Sequence, residues 1–431
     1  MTTPEATRGD GAHHSHGDPA ELVSLGDYRR DVLARVGALD PIELRLLEAH
    51  GSVLAEDIVA PAPVPGFANS AMDGFAVRAG DTGAGEVLQV IGEVAAGAGD
   101  PPEVGRGQAV AIMTGAPVPP GADAVVPVED TVETDGWVRL RARAQPAAHI
   151  RAAGEDVTKG ETVLKAGRRL RSADIGMLAA VGRALVLVHP RPRVAVISTG
   201  DELVEPGVPL EPGQIRDTNS YTLTALARET GATAFRQAIV PDNRRALTEA
   251  FEGALSHADM LVTSGGVSAG RYDLVKKVLA ELGDVAFAKV GIRPGMPQAF
   301  GFLAGTAQSR QSVPCFGLPG NPVSAYVSFE VFVRPALRRM QGRPDLNRPR
   351  VQAVMEVEVA SPPHKVEFVR VRLQHTSAGW RARPTGEQGS GILRSVVDAD
   401  GLAEVPADIT RVAAGETVVV HLLTDELGST A

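Results

Sequence analysis

The chain has 431 residues and a formal net charge of −9, with 44% hydrophobic, 22% charged and only 4% aromatic residues. That length exceeds what one hydrophobic core usually holds, so two to four domains are expected; the acidic balance excludes a global field that would draw in nucleic acid or an anionic membrane surface. The single cysteine, Cys315, excludes an intramolecular disulfide framework and a cysteine-based zinc cluster, and no apolar run reaches the roughly 18 residues that mark a membrane span.

Residues 1–20 are polar and carry acids, which predicts a disordered tail and not a signal peptide. His13, His14 and His16 in this tail read as solvated groups. The expected location is the cytoplasm, whose reducing conditions a lone cysteine tolerates. Residues 24–50 read as helix, because Leu25, Val32, Leu33 and Val36 recur at helical spacing and Pro41 opens a second helix through Leu44 and Leu47. From 56 to 145, short apolar runs (87–91, 109–113, 124–127 and 137–140) alternate with Gly and Pro clusters, the pattern of a β-rich domain. Residues 151–182 return to the first style and end in a helix bearing Asp174, Ile175, Leu178 and Val181. The expectation is an elongated helical first domain, residues 21–55 with 146–190, into which a β-rich domain, residues 56–145, is inserted.

Residues 191–345 predict strands at 194–198, 235–240, 260–263, 285–290 and 313–317, alternating with helices at 220–230, 244–256, 273–282 and 323–340. Such alternation implies a central, mostly parallel sheet with helices on both faces. Residues 346–431 read as a small C-terminal β domain, so the fold class is multidomain α/β plus β. Cys315 falls inside an apolar strand and reads as a core residue.

Ligands of an open α/β sheet bind beyond the C-terminal ends of its strands. The expected strands lead in turn into Thr199-Gly200-Asp201-Glu202, Pro241-Asp242-Asn243, Ser264-Gly265-Gly266-Val267-Ser268 with Tyr272-Asp273, Arg293-Pro294-Gly295-Met296-Pro297, and Leu318-Pro319-Gly320-Asn321-Pro322-Val323-Ser324. Five polar or Gly/Pro-rich loops thus gather at one edge. The glycines and hydroxyls of 264–268 would let bare backbone N–H groups approach a phosphate, although the same pattern serves a tight turn. Asp201, Glu202, Asp242 and Asp273 would crowd hard oxygen ligands suited to Mg²⁺; each alone also reads as a helix cap, Asp273 above all. Gly320 between two prolines makes a rigid wall for a ligand or a stiff strand-to-helix connection.

These loops, taken with Asn69-Ser70-Ala71-Met72-Asp73-Gly74-Phe75-Ala76, Ile112-Met113-Thr114-Gly115-Ala116-Pro117, Gly154-Glu155-Asp156-Val157 and Ile215-Arg216-Asp217-Thr218-Asn219-Ser220, resemble the molybdopterin molybdenumtransferase family (MoeA and the E domain of gephyrin) over residues 22–423. The resemblance implies an elongated homodimer with catalysis between the α/β domain of one subunit and the β domain of the other. The implied reaction consumes adenylylated molybdopterin and molybdate with Mg²⁺, and releases AMP and the molybdenum cofactor.

Carried over by position, Asp201, Glu202, Asp242 and Asp273 match metal-binding acids, of which Glu202, Asp242 and Asp273 are also catalytic. Asp73, Thr114 and Asp156 match catalytic positions on the opposing wall. Ser264, Gly265, Gly266, Ser268, Pro319, Gly320, Asn321 and Pro322 match the substrate-binding loops, with Arg293, Ser324, Arg370 and Ser395 near the oxyanion. Implied partners are a molybdopterin adenylyltransferase and apo-molybdoenzymes, with no nucleic acid and no membrane. Met296 departs from the family, which commonly has lysine there. The competing readings are a molybdopterin adenylyltransferase, which would not need Asp73, Thr114 or the C-terminal domain, and a gephyrin-like interaction scaffold, which would not need the acids.

Overall fold

The computed structural model describes residues 22–97, 99–266, 274–304 and 312–424. They fall into two compact units, residues 41–188 and the described residues on either side of that segment.

The unit of residues 41–188 holds a six-stranded sheet in the order Ala124–Pro127, Gly74–Val77, Gln108–Ile112, Val87–Val94, Trp137–Leu140, Thr131–Thr134. Both faces of this sheet are buried: Phe75, Val77, Leu88 and Val126 pack on one side, and Ala76, Val110, Ile112 and Val125 on the other. Two-sided burial explains why the strands Gly74–Val77, Gln108–Ile112 and Ala124–Pro127 are near-continuous apolar runs, whereas Trp137–Leu140 at the other side of the sheet alternates between exposed and buried. A second core in the same unit joins Ala49, Leu54, Ile58, Leu164, Leu178 and Val186. Here the expected second helix is largely a strand, since Ile42–Arg45 pairs antiparallel with residues 185–188 and only Leu46–Ala49 is helical. The pairing partner lies some 140 residues away in sequence, so local periodicity could not reveal it.

The other unit is built on a six-stranded sheet of β1 (Arg193–Ser198), β2 (Thr233–Arg236), β3 (Met260–Ser264), β4 (Gly283–Lys289), β5 (Pro297–Leu303) and β6 (Val313–Leu318), in the order 2-1-3-6-5-4. Strands β1, β2, β3 and β6 are parallel, whereas β5 runs antiparallel to both β6 and β4. The mostly parallel sheet is as expected; β5, which starts at the loop residue Pro297, is a further strand between the expected ones at 285–290 and 313–317. Because β5 turns back, β4 ends at the same edge as β1, β3 and β6. Cys315 is fully buried in β6, and burial pushes its thiol up to about 12, so it is an inert core residue.

Helix Leu25–Arg35, started by Ser24 accepting from the Asp27 N–H at 3.0 Å, buries Tyr28 and Val32 in the core that contains Val194, Leu223 and Phe332. Its apolar stripe finds its partner across the chain, in the α/β core, and not in the next helix. The C-terminal sheet runs Ile292–Arg293, Val366–Thr376, Gly379–Pro384, Arg350–Met355, Thr417–Leu422, Gly401–Val405, and closes through a further pairing of Val366–Thr376 with Gly401–Val405. Its first member is the loop after β4, with Arg293 opposite Glu367.

Candidate functional site

The loops after β1, β2 and β3 are tied to one another by backbone. Gly200 N–H donates to Val240 O at 3.3 Å and Thr199 N–H to Ser264 O at 3.4 Å. Asp242 N–H donates to Asp201 Oδ1 at 3.0 Å. The cap of the next helix, Arg244–Leu255, is supplied by Asn243, whose Oδ1 accepts from Ala246 N–H at 2.9 Å. Asp242 is therefore not the cap. Desolvation first, then the charges of Asp201 and Glu202, push its carboxyl above its ordinary value. Among the described residues, no three His, Cys, Asp or Glu side chains close round one point. Ser268 and Asp273 lie outside the described residues.

Ser264 is buried at the end of β3, and Gly265 and Gly266 follow in left-handed conformation, with φ of +94° and +69°. A Cβ on Gly265 would stand 2.9 Å from Thr199 O, so only glycine fits this crossing. The β6 loop lies alongside: Gly265 N–H donates to Leu318 O at 3.2 Å and Ser264 Oγ to Pro319 O at 3.3 Å. Asn321 Nδ2 donates to Ser390 Oγ at 3.1 Å, and Pro322 opens helix Pro322–Ser328, which buries Ser324. At these glycines and prolines the rigid turn is itself a bare backbone wall. Asn219 and Asp217 were not singled out as site residues, though they lie in a recognised segment. Asn219 Nδ2 reaches both Ser264 Oγ and Gly320 O.

The expected oxyanion residues form a cationic cluster. Arg293 is exposed and pairs with the buried Glu367 at 3.4 Å. Arg370 is fully buried and donates to Ser395 Oγ at 3.1 Å, Gly389 O at 3.2 Å and Phe368 O at 3.3 Å; burial lowers its guanidinium to about 10. Its protein bonds make it a source of charge at a distance. Ser395 Oγ in turn donates to Ile392 O at 2.7 Å. Burial, then Arg293, lowers Lys365, a nearby cation that sequence reasoning missed. Burial raises the Glu367 carboxyl against the pull of Arg293 and Arg370. Gly295 rests on the helix that carries Ser324, where a Cβ would meet Ser328 Oγ at 2.7 Å and Ser324 O at 3.4 Å. Met296 is half-buried.

In the unit of residues 41–188, Asp73 and Thr114 meet. Asp73 Oδ1 accepts from Thr114 N–H at 2.6 Å and from Thr114 Oγ1 at 2.8 Å, and these two bonds hold the exposed carboxyl below its ordinary value. Gly74 follows because a Cβ there would lie 2.1 Å from Val126 O in the adjacent strand. Asp156 sits on a separate exposed loop, fixed by its N–H donating to Val64 O at 3.0 Å.

An acidic strand-end edge beside a double-glycine turn, on a mostly parallel sheet, defines a ligand-binding α/β domain of the molybdopterin-binding class: residues 195–339 match the "probable molybdopterin binding domain" family. Residues 23–182 match the MoeA N-terminal region (domain I and II) and residues 352–423 the MoeA C-terminal region (domain IV). The chain is 43% identical over 414 residues to molybdopterin molybdenumtransferase 2 of Mycobacterium tuberculosis, covering 94% of this chain and 100% of that protein. It is 38% identical to the molybdopterin molybdenumtransferase of Haemophilus influenzae, covering 94% and 100%. The crystal structure of the molybdopterin biosynthesis MoeA protein from Pyrococcus horikosii superposes with a TM-score of 0.80 at 35% identity, covering 94% of this chain and 100% of that one. The chain belongs to the MoeA family of molybdopterin molybdenumtransferases. Among the described residues, no helix is long and apolar enough to cross a membrane.

Proposed function

We propose that this molybdenumtransferase of molybdenum cofactor biosynthesis takes adenylylated molybdopterin and molybdate, releases AMP and delivers the molybdenum cofactor. The observation that carries the reading is the set of acids Asp201, Glu202 and Asp242 beside the Ser264-Gly265-Gly266 turn. A carboxyl of Asp242 raised by burial and by the charges of Asp201 and Glu202 fits a divalent cation that keeps water and phosphate oxygens as its other ligands. Mg²⁺ held by Asp242 and Glu202, with Asp273, would neutralise charge developing on the phosphate. Asp201 positions Asp242 through its N–H. The left-handed Gly265–Gly266 turn, its Gly265 N–H held by Leu318 O, presents bare backbone and the Gly266 N–H to the phosphate, while Pro319, Gly320 and Pro322 form the wall. Arg293, Lys365 and Arg370 attract the molybdate dianion, the last two chiefly by charge.

We further propose a homodimer in which the second copy supplies Asp73, Thr114 and Asp156 to the cleft. The working location is the cytoplasm, with a molybdopterin adenylyltransferase upstream and apo-molybdoenzymes downstream. Incubating the purified protein with adenylylated molybdopterin and Mg²⁺, with and without molybdate, tests the reading. AMP release that requires molybdate is expected; AMP release indifferent to molybdate would reject it.

A further inference from the structure

We propose that Asn219 is a positioning residue that sets the separation of the Ser264–Gly266 and Pro319–Gly320 loops, and hence the shape of the cradle for the adenylate phosphate; the proposal rests on the reading that this edge takes the adenylylated substrate. Strands β3 and β6 are joined by their ladder as far as Ser264 and Leu318. Beyond it the chain turns left-handed at Gly265 and Gly266, and the two loops leave the sheet. There the Asn219 amide nitrogen donates to Ser264 Oγ at 2.7 Å and to Gly320 O at 2.6 Å. A planar amide carries two donors on one atom at a fixed angle, so Asn219 fixes how far apart Ser264 Oγ and Gly320 O stand, beyond the bonds of Gly265 N–H to Leu318 O and of Ser264 Oγ to Pro319 O that join the loops at their base.

Asn219 is itself held from below. It is the first residue of helix Asn219–Glu229. Buried Asp217 accepts from Ser198 Oγ at 3.0 Å and from Ser220 N–H at 3.1 Å, which pins the helix start to the end of β1. Thus three strand ends, those of β1, β3 and β6, are referred to one another through Asp217 and Asn219. Asn219 is half-buried at the rim and contributes nothing to the apolar core beneath its helix, where Leu223, Leu226 and Ala227 pack. Its replacement therefore alters loop spacing more than global stability.

The test is Asn219→Asp, which keeps the shape, loses both donors and turns an anion toward the Gly320 carbonyl. Calorimetric titration of the full chain with AMP and Mg²⁺ reads the cradle without requiring turnover. AMP affinity should fall about tenfold, the effect of losing roughly one hydrogen bond of 1–2 kcal/mol, with the melting temperature nearly unchanged. In turnover, the adenylylated substrate needed for half-maximal rate should rise by a similar factor, while the rate at saturation and the molybdate dependence stay within about twofold. Combining Asn219→Ala with Ser264→Ala should give less than the sum of the two effects, because they remove one shared bond. Equal AMP affinity in wild type and Asn219→Asp, or no AMP binding by wild type, would overturn the proposal. Wild-type protein that binds AMP but releases none from the adenylylated pterin would instead overturn the functional reading and leave the cradle standing.

Discussion

Asp242 donates its backbone N–H to Asp201 Oδ1 at 3.0 Å, so one acid of the strand-end edge holds another in place while adding to its electrostatic cost. That relationship divides roles among residues of identical chemistry. Asp201 has one oxygen engaged with protein, whereas Asp242 carries the raised carboxyl, the one proposed above to meet a cation.

The sign of that shift leads to a prediction. A carboxyl whose folded-state value lies above its unfolded value favours the fold below the unfolded value, and loses that contribution as pH rises through the folded one. At neutral pH ionised Asp242 therefore strains the fold, and Asp242→Asn should melt at the same or a slightly higher temperature. AMP release should nonetheless fall by about 10²-fold or more, the usual cost of deleting one charged stabiliser. Scanning fluorimetry beside an AMP assay checks both; unimpaired release would remove Asp242 from the mechanism.

A cleft shared between two copies, as proposed, predicts complementation. Asp73→Asn and Asp242→Asn homodimers should each be inactive, yet mixed subunits should recover roughly a quarter of wild-type activity, since about half the dimers of a two-fold assembly are then heterodimers with one intact cleft. Mass spectrometry establishes exchange. Proven heterodimers without activity would place both residues in one chain's site.

At the cationic cluster, Arg293→Ala should raise the molybdate concentration for half-maximal rate by roughly tenfold, the equivalent of one charge-assisted bond. Lys365→Ala should raise it less, and Met296→Lys should lower it. Dependence on the adenylylated pterin should barely move. A molybdate dependence indifferent to all three substitutions would mean that the anion is held elsewhere.

The fourth prediction concerns stability alone. Glu330, on the π-helical turn Phe329–Val333, is enclosed by Arg334 at 2.7 Å and Arg348 at 3.0 Å. Burial raises its carboxyl, but the two arginines outweigh burial and hold it below its ordinary value. Stability from this group is thus present above the unfolded value and lost as pH falls through the folded one. Glu330→Gln removes the buried charge closest to both arginines, leaving the exposed Glu229 at 3.9 Å from Arg334 and 3.8 Å from Arg348, and should cost about 3 kcal/mol. Chemical denaturation at neutral pH measures it; a loss below about 1 kcal/mol, typical of exposed pairs, would contradict the reading.

Much of the site was legible because its signals are local. Gly265 and Gly266 are needed for left-handed turns, and the acids follow strand ends, so both announce themselves within a few residues. The Asp73 and Thr114 segments were recognised, but that Thr114 would bond Asp73 twice was not. Lys365 escaped notice because nothing near it in sequence suggests an anion; its neighbour Arg293 arrives through the pairing of Ile292–Arg293 with Val366 and Glu367. Arg370 was expected beside the anion, and it proves to be buried with its donors engaged by Ser395, Phe368 and Gly389.

By itself the sequence determined the alternation of strands and helices, the placing of five loops at one sheet edge and the family to which the chain belongs. Hydrophobic period and Gly/Pro punctuation act over a turn or a strand, so they survive in a linear reading. Tertiary structure alone decided that Ile42–Arg45 is a strand, that helix Leu25–Arg35 packs on the α/β core, and that Asn219 bridges loops 45 and 101 residues away. The reason is physical: a donor's partner and a charge's neighbour are set by which distant segments the collapsed core brings within about 3 Å, and that distance has no counterpart along the chain.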